Sequence, residues 1–145
     1  VGTHGRSIYK TNIARLQKFN SSKESNVTIF EIPSIRHSSR WGSSWSQWST
    51  VSEPTITISY LANSSGKMTV QILAENGTVL KTIQTNSDKG FNYLKDDLSI
   101  SEKSVKAYFK KNDIEVKKAD NERFYLPKGI YSIKIGEAKE SFEIK

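Results

Sequence analysis

The chain has 145 residues and no cysteine, so disulfide-stapled folds, cysteine-ligated zinc sites and thiol nucleophiles are excluded. Only 35% of the residues are hydrophobic, and the 10% that are aromatic must supply much of the core. The 22 basic and 15 acidic side chains give a net charge of +7. They are interleaved along the chain, which is typical of solvated strands rather than of a nucleic-acid surface. No apolar run approaches the roughly 18 residues that a membrane span needs.

The first 52 residues are rich in serine, asparagine and arginine and show little periodicity. Residues 7–10 have the composition of a strand, and residues 13–19 carry apolar side chains at the spacing of one or two helical turns. Residues 27–32 predict a strand that ends at Pro33. None of these elements can form a domain alone. We therefore expect residues 1–52 to be an extended N-terminal arm.

Strand patterns follow one another at short intervals from residue 53 to the end of the chain. Alternating apolar and polar residues predict strands at residues 55–61, 67–74, 78–84, 91–94, 129–135 and 140–144. Between two of them, Asn76-Gly77 is a strong hairpin signal because both residues tolerate the positive φ of a type I′ turn. Short strands at this spacing predict an all-β fold, an antiparallel β-sandwich of the immunoglobulin or fibronectin III class over residues 53–145.

Residues 99–123 are less regular than the strands that flank them. Ser101 is a suitable cap for a short helix over residues 101–109, in which Val105, Tyr108 and Phe109 would share one face. A strand over the same residues is the alternative. We favour the helix, as part of an insertion between two strands.

The three tryptophans of the chain lie within eight positions of one another, in a serine-rich segment. Indole rings stack on the apolar faces of sugars, and neighbouring polar groups bond their hydroxyls. The candidate carbohydrate-binding residues are therefore Trp41, Trp45, Trp48, Arg40 and Gln47. The alternative is that the indoles are buried and hold the arm to the sandwich. The segment also matches the WSxWS signature of cytokine receptors and resembles thrombospondin repeats, but those modules depend on disulfides.

Patterns for catalysis and metal binding are weak. The two histidines, His4 and His37, lie in the irregular N-terminal part, without the acidic partners that a triad or a metal site needs. Asp96 and Asp97 are adjacent, so in a strand they would point to opposite faces and could not flank one glycosidic bond. We interpret them as a strand end, and we expect no catalytic residue, metal or cofactor in this chain.

The first nine residues, Val-Gly-Thr-His-Gly-Arg-Ser-Ile-Tyr, resemble the closing strand of sortilin-like and BNR-repeat β-propellers, which are often described as glycosyl hydrolases. In that family a short helix, a strand ending in proline and an immunoglobulin-like module follow. Residues 13–16 and 29–33 resemble the first two of these, and residues 89–94 and 126–133 resemble motifs of the module. Tyr93 departs from the pattern, because the family often has tryptophan there.

The resemblance implies that the sequence is the C-terminal piece of a longer, bacterial protein that is secreted, periplasmic or at the cell surface. It implies a non-catalytic accessory module that docks on an upstream propeller or binds polysaccharide weakly. In this interpretation residues 1–10 are a remnant of the last propeller strand, the tryptophan segment is a linker, and any active site belongs to the propeller. A protein-interaction or adhesion module, with sheet edges that pair with a partner, is the alternative.

Overall fold

A computed structural model describes residues 26–46 and 48–145. The strand predicted at residues 7–10, the helix predicted at residues 13–19 and Gln47 lie outside the described residues. The strands, in chain order, are β1 (Val27–Ile29), β2 (Ile56–Ala62), β3 (Gly66–Ala74), β4 (Val79–Ser87), β5 (Gly90–Asp96), β6 (Ser99–Ile100), β7 (Phe124–Tyr125), β8 (Gly129–Ile135) and β9 (Ala138–Ile144). One helical segment, which begins as α1 (Glu102–Ser104), lies between β6 and β7.

The strands form two principal antiparallel sheets and a short ribbon. The first sheet has the order β1-β2-β5 and the second the order β4-β3-β8-β9, while β6 pairs with β7. Both principal sheets contribute side chains to one hydrophobic core. The predicted all-β fold, an antiparallel β-sandwich, is confirmed. The narrower assignment to the immunoglobulin or fibronectin III class stays a prediction.

The central strands β3 and β8 show why alternation identified the sheet. Val70 and Ile72 of β3 are fully buried and Met68 is partly buried, as the pattern predicts. Across the strand pair, Val70 lies opposite Ile135 and Ile72 opposite Ile133, and these two isoleucines are also buried. Branched side chains thus face one another on the inner surface of the sheet, where they pack well.

The hairpin predicted at Asn76-Gly77 joins β3 to β4, but the predicted turn type is wrong. Gly77 has a φ of 85°, whereas Asn76 is not among the described residues with positive φ. The backbone N–H of Gly77 donates to the carbonyl of Ala74, and the N–H of Ala74 donates to the carbonyl of Thr78, both over 2.9 Å. The side chain of Asn76 accepts a hydrogen bond from the Thr78 N–H, so it stabilises the turn without a positive φ at Asn76.

The described end of the N-terminal part belongs to the sandwich. Strand β1 pairs with β2, and Val27, Ile29 and Ile32 are buried in the core. Further on, Ile35 forms a parallel bridge with Ile144, which covers the outer edge of β9. These residues precede the boundary predicted at residue 53, yet they share the core of the strands that follow it.

The helix predicted at residues 101–109 is present, with Ser101 as its N-cap. The Ser101 side chain accepts a hydrogen bond from the Ser104 N–H over 3.1 Å. After α1 the segment widens into a π-helical turn, Val105–Phe109, and ends as a 3₁₀ turn, Lys110–Asn112. Phe109 is buried, so the predicted apolar face is confirmed. No helix of the described ranges is long and apolar enough to cross a membrane.

Candidate functional site

The tryptophan segment is divided between the core and the solvent. Trp41 is only 9% exposed, whereas Trp45 and Trp48 are 88% and 91% exposed. Arg40 is also exposed, and Gln47 lies outside the described residues. Trp41 is therefore buried, as the alternative interpretation predicts for all three indoles. Trp45 and Trp48 are placed as a binding surface would require.

Trp41 is held between aromatic rings from different parts of the chain. Its ring centroid lies 4.7 Å from that of His37 and 6.2 Å from that of Tyr125, which it meets edge to face. Tilted and edge-to-face contacts of this kind add to the stabilisation that burial of the indole already provides. Trp41 thus fixes the N-terminal side of the tryptophan segment against strand β7.

Residues 43–52, which we call the tryptophan loop, are closed at their base by backbone hydrogen bonds. The N–H of Gly42 donates to the carbonyl of Ser52 over 2.7 Å, and the N–H of Ser52 donates to the carbonyl of Ser43 over 2.8 Å. At the tip, the Ser49 hydroxyl donates to the Ser46 carbonyl and accepts from the Ser46 N–H. These serines thus satisfy part of the loop backbone locally, and the indoles of Trp45 and Trp48 are exposed beside them.

The base of the tryptophan loop fits against the insertion between β6 and β7 only because residue 42 is glycine. Gly42 has a φ of +82°, and a Cβ atom built on it would lie 2.4 Å from the Ala119 Cβ and 2.6 Å from the Asn121 Oδ1. The carbonyl of Gly42 also accepts a hydrogen bond from the Asn121 N–H over 3.1 Å. The close approach and the backbone conformation each exclude a larger residue.

A groove of about 510 Å³, which we call the Trp41 groove, lies beside the base of the loop. Trp41 and Tyr125 line its aromatic part, and the hydroxyl-bearing side chains of Ser38, Ser39 and Ser43 line another. Its charged lining residues are Lys117, Lys118, Lys128, Glu115 and Asp120. Trp41 was predicted as a candidate from the sequence, but the interleaved charges were interpreted as those of solvated strands, so the groove itself, with Lys117 and Lys118 in its lining, was missed.

The charges of the Trp41 groove are only partly balanced within it. Lys117 pairs loosely with Glu115 over 3.7 Å, whereas Lys118 and Lys128 have no carboxylate within 4.0 Å among the described residues. His37 also lines the groove, and burial, assisted by the positive charge of Lys128, lowers its pKa below 6.5. Both effects disfavour a charge on His37, and the other basic groups of the groove are lysines.

The adjacent carboxylates Asp96 and Asp97 form an ion-pair network rather than an open pair. The Nζ of Lys81 lies 2.6 Å from an Asp96 oxygen and 3.0 Å from an Asp97 oxygen, and Arg123 bridges Asp97 to Glu53. The prediction that the two carboxylates point apart is wrong, because β5 ends at Asp96 and Asp97 no longer follows the alternation. The predicted strand end is confirmed.

No known family model matches the chain, and no curated protein matches it. Two solved structures share a weak likeness with it. A β-glucosidase from Kluyveromyces marxianus is 12% identical over 82% of this chain and 14% of its own, with a TM-score of 0.31. A β-glucosidase from Listeria innocua, solved in complex with glucose, is 9% identical over 81% of this chain and 15% of its own, with a TM-score of 0.31. The chain spans about a seventh of each, and a likeness this weak identifies no family.

Proposed function

We propose that this chain is a non-catalytic β-sandwich module that binds polysaccharide through the tryptophan loop. The observation that carries the proposal is the exposure of Trp45 and Trp48 on a loop whose base and tip are both hydrogen-bonded. Full burial of a large apolar side chain is worth about 1.5–3 kcal/mol. Two indoles that forgo this stabilisation, three residues apart, favour a surface kept free for a ligand.

A sugar chain suits the chemistry of this surface. An indole presents a flat apolar face to the C–H groups of a pyranose ring, and hydroxyl and guanidinium groups bond the equatorial hydroxyls. Ser46 and Ser49 flank the indoles, and Arg40 is exposed just before the loop. Stacking gives modest affinity for each ring, which suits an accessory module that gains strength from repeated units.

The wider setting is also part of the proposal. The module would stand at the C-terminal end of a secreted, periplasmic or cell-surface bacterial protein, after a sortilin-like or BNR-repeat propeller on which it docks. Any glycosyl hydrolase activity would belong to that propeller. The support is the resemblance of residues 1–9, which lie outside the described residues, together with the confirmed all-β fold.

A protein-interaction or adhesion module is the second candidate, and the three-stranded sheet favours it. Tyr93 is 63% exposed and Phe91 is also exposed, and both lie on β5, the last strand in the order of that sheet among the described strands. Exposed aromatic side chains on an edge strand suit docking on a protein surface or addition of a partner strand.

The proposed polysaccharide binding is tested by affinity electrophoresis and calorimetry with a panel of soluble plant, bacterial and host polysaccharides. The wild-type protein, the W45A/W48A double variant and the control Y93A are compared. We expect the double variant to lose roughly tenfold or more in affinity, since two aromatic contacts of about 1 kcal/mol each are removed, and Y93A to bind normally. Wild-type binding that survives W45A/W48A, or no binding to any polysaccharide, would contradict the proposal.

A further inference from the structure

We infer that the Trp41 groove binds an acidic saccharide unit, so that the polysaccharide recognised by this module carries carboxylate or sulfate groups. The inference rests on the proposed function, and it adds a class of ligand and a second site. The tryptophan loop alone would stack on neutral and acidic sugars alike. The groove contains what the loop lacks, which is a concave surface with unbalanced positive charge.

The groove and the loop are continuous. Ser43 lines the groove and is also the first residue of the loop, while Trp41 lines the groove two residues earlier. The groove and the loop therefore share Ser43, and one polysaccharide chain is proposed to contact both. The volume of about 510 Å³ lies within the range of about 300–1,000 Å³ that is usual for small-molecule sites, which is ample for one sugar unit.

The positive charge of the groove favours acidic saccharides over neutral ones as its ligands. Three lysines line it against two carboxylates, and Glu115 is partly compensated by Lys117. Lys118 and Lys128 are exposed and form no salt bridge among the described residues, although the charge of Lys118 also acts on Glu102. A ligand carboxylate or sulfate would supply the missing partner through charge-assisted hydrogen bonds.

The remaining lining fits a sugar rather than a bare anion. Trp41 and Tyr125 are largely buried and contribute only ring edges to the lining, and Ser38 and Ser39 bring hydroxyls. A small inorganic anion would leave these groups unused. An acidic sugar combines a negative charge, hydroxyls and C–H groups, and so matches the lysines, the serines and the apolar ring edges of the lining.

The test compares acidic polysaccharides with their own uncharged forms. Oligogalacturonate, alginate oligomers, hyaluronan fragments and a sulfated chondroitin are titrated into the wild-type protein, beside the carboxyl-reduced or desulfated product of each. We expect at least one acidic chain to bind roughly tenfold more tightly than its uncharged form, and this difference to shrink as salt is raised. The carboxylated and sulfated members show which acidic group is preferred.

Variants then locate the effect. In K118Q/K128Q the two unpaired ammonium groups are replaced by neutral side chains, and we expect the preference for the acidic chain to fall roughly tenfold. The matched control K67Q/K95Q removes the same charge from exposed positions on β3 and β5 and should keep the preference. Urea unfolding of each variant confirms that the fold is retained.

The outcomes separate the two proposals. If acidic and uncharged chains bind equally through Trp45 and Trp48, the inference is wrong and the proposed function stands. If the preference is lost equally in K67Q/K95Q, it reflects net charge and the groove is not the site. If no polysaccharide binds at all, the proposed function fails, and the inference fails with it.

Discussion

The hydroxyl of Tyr131 donates a hydrogen bond to the backbone carbonyl oxygen of Pro127, four residues earlier, over 2.9 Å. Tyr131 lies near the start of β8, where its ring is buried and packs against Phe142 at a centroid distance of 5.8 Å. Burial raises the pKa of Tyr131 well above 10, so the hydroxyl stays a donor at any physiological pH. Immunoglobulin-like sandwiches also contain a tyrosine that bonds to the backbone a few residues upstream, but the assignment of this chain to that class stays a prediction.

Removal of this hydrogen bond tests its part in holding the entry to β8. In Y131F the Pro127 carbonyl loses its donor while the ring and its packing remain. We expect the free energy of unfolding to fall by about 1–2 kcal/mol, measured by urea denaturation at pH 7. The control is Y93F, which removes a hydroxyl from a solvent-exposed ring. Equal stability of Y131F and wild type would show that this hydrogen bond contributes nothing to the stability of the fold.

Most strands of the sandwich could be predicted because their alternating patterns are visible in short stretches of sequence. The alternation in β3 and β8 is visible within seven to nine residues, and the Ser101 cap is visible within four. These features depend on near neighbours in sequence. The hairpin at Gly77 was located for the same reason. Its turn type was not, since asparagine tolerates either sign of φ in a turn, and here Asn76 has no positive φ and its side chain accepts a hydrogen bond from the Thr78 N–H.

The candidate site was less predictable because it depends on contacts between distant segments. Trp41 is buried by Tyr125, and no pattern around residues 40–48 indicates which indole will meet that partner. A role in ligand binding could not be predicted for Lys117 and Lys118, because the groove that they line forms only when distant segments pack together. Asp97 converges with Asp96 on Lys81 because the strand ends one residue earlier, and strand ends are poorly defined by alternation alone.

Substitutions of Gly42 and Gly77 can distinguish the cost of backbone strain from the cost of a steric clash. Gly42 and Gly77 have almost the same φ, +82° and +85°, but a Cβ on Gly42 would meet Ala119 and Asn121, while a Cβ on Gly77 would meet nothing within 4 Å. We expect G77A to lose about 1–2 kcal/mol from left-handed strain alone, and G42A to lose a further 1–3 kcal/mol from overpacking. Thermal and urea unfolding measure both. Equal losses in the two variants would mean that the insertion moves freely away from the loop base.

The lowered pKa of Asp97 makes the stability of the fold depend on pH in the acidic range. Burial raises its pKa, but hydrogen bonds from Ser99 and the ammonium group of Lys81 outweigh burial and lower the pKa to about 2 from 3.8. The folded state therefore holds the proton less tightly than the unfolded state. The stability from this carboxylate is complete above about pH 5 and is lost as the pH falls towards 2.

The variant D97N isolates this contribution. Its deficit in unfolding free energy relative to wild type should be largest at pH 6–7 and should shrink steadily between pH 5 and pH 2, as followed by urea denaturation at fixed ionic strength. The exposed Asp88, whose carboxylate makes no ion pair in the described residues, supplies the control D88N. A deficit in D97N that is independent of pH would point to lost packing rather than to the ion pairs.

Tryptophan fluorescence measures the difference in exposure among the three indoles, since every indole of the chain lies within residues 41–48. Trp45 and Trp48 are open to acrylamide and Trp41 is buried, so the quenching plot of the wild-type protein should curve downwards, with one protected and one accessible class. In W45F/W48F only Trp41 emits, and its spectrum should be blue-shifted and weakly quenched. An acidic polysaccharide that binds as proposed should protect the accessible class of the wild type. A single, uniformly quenched class in the free protein would show that Trp41 is not buried in the core. The groove that Trp41 lines would then lack a fixed shape, and the further inference would fail.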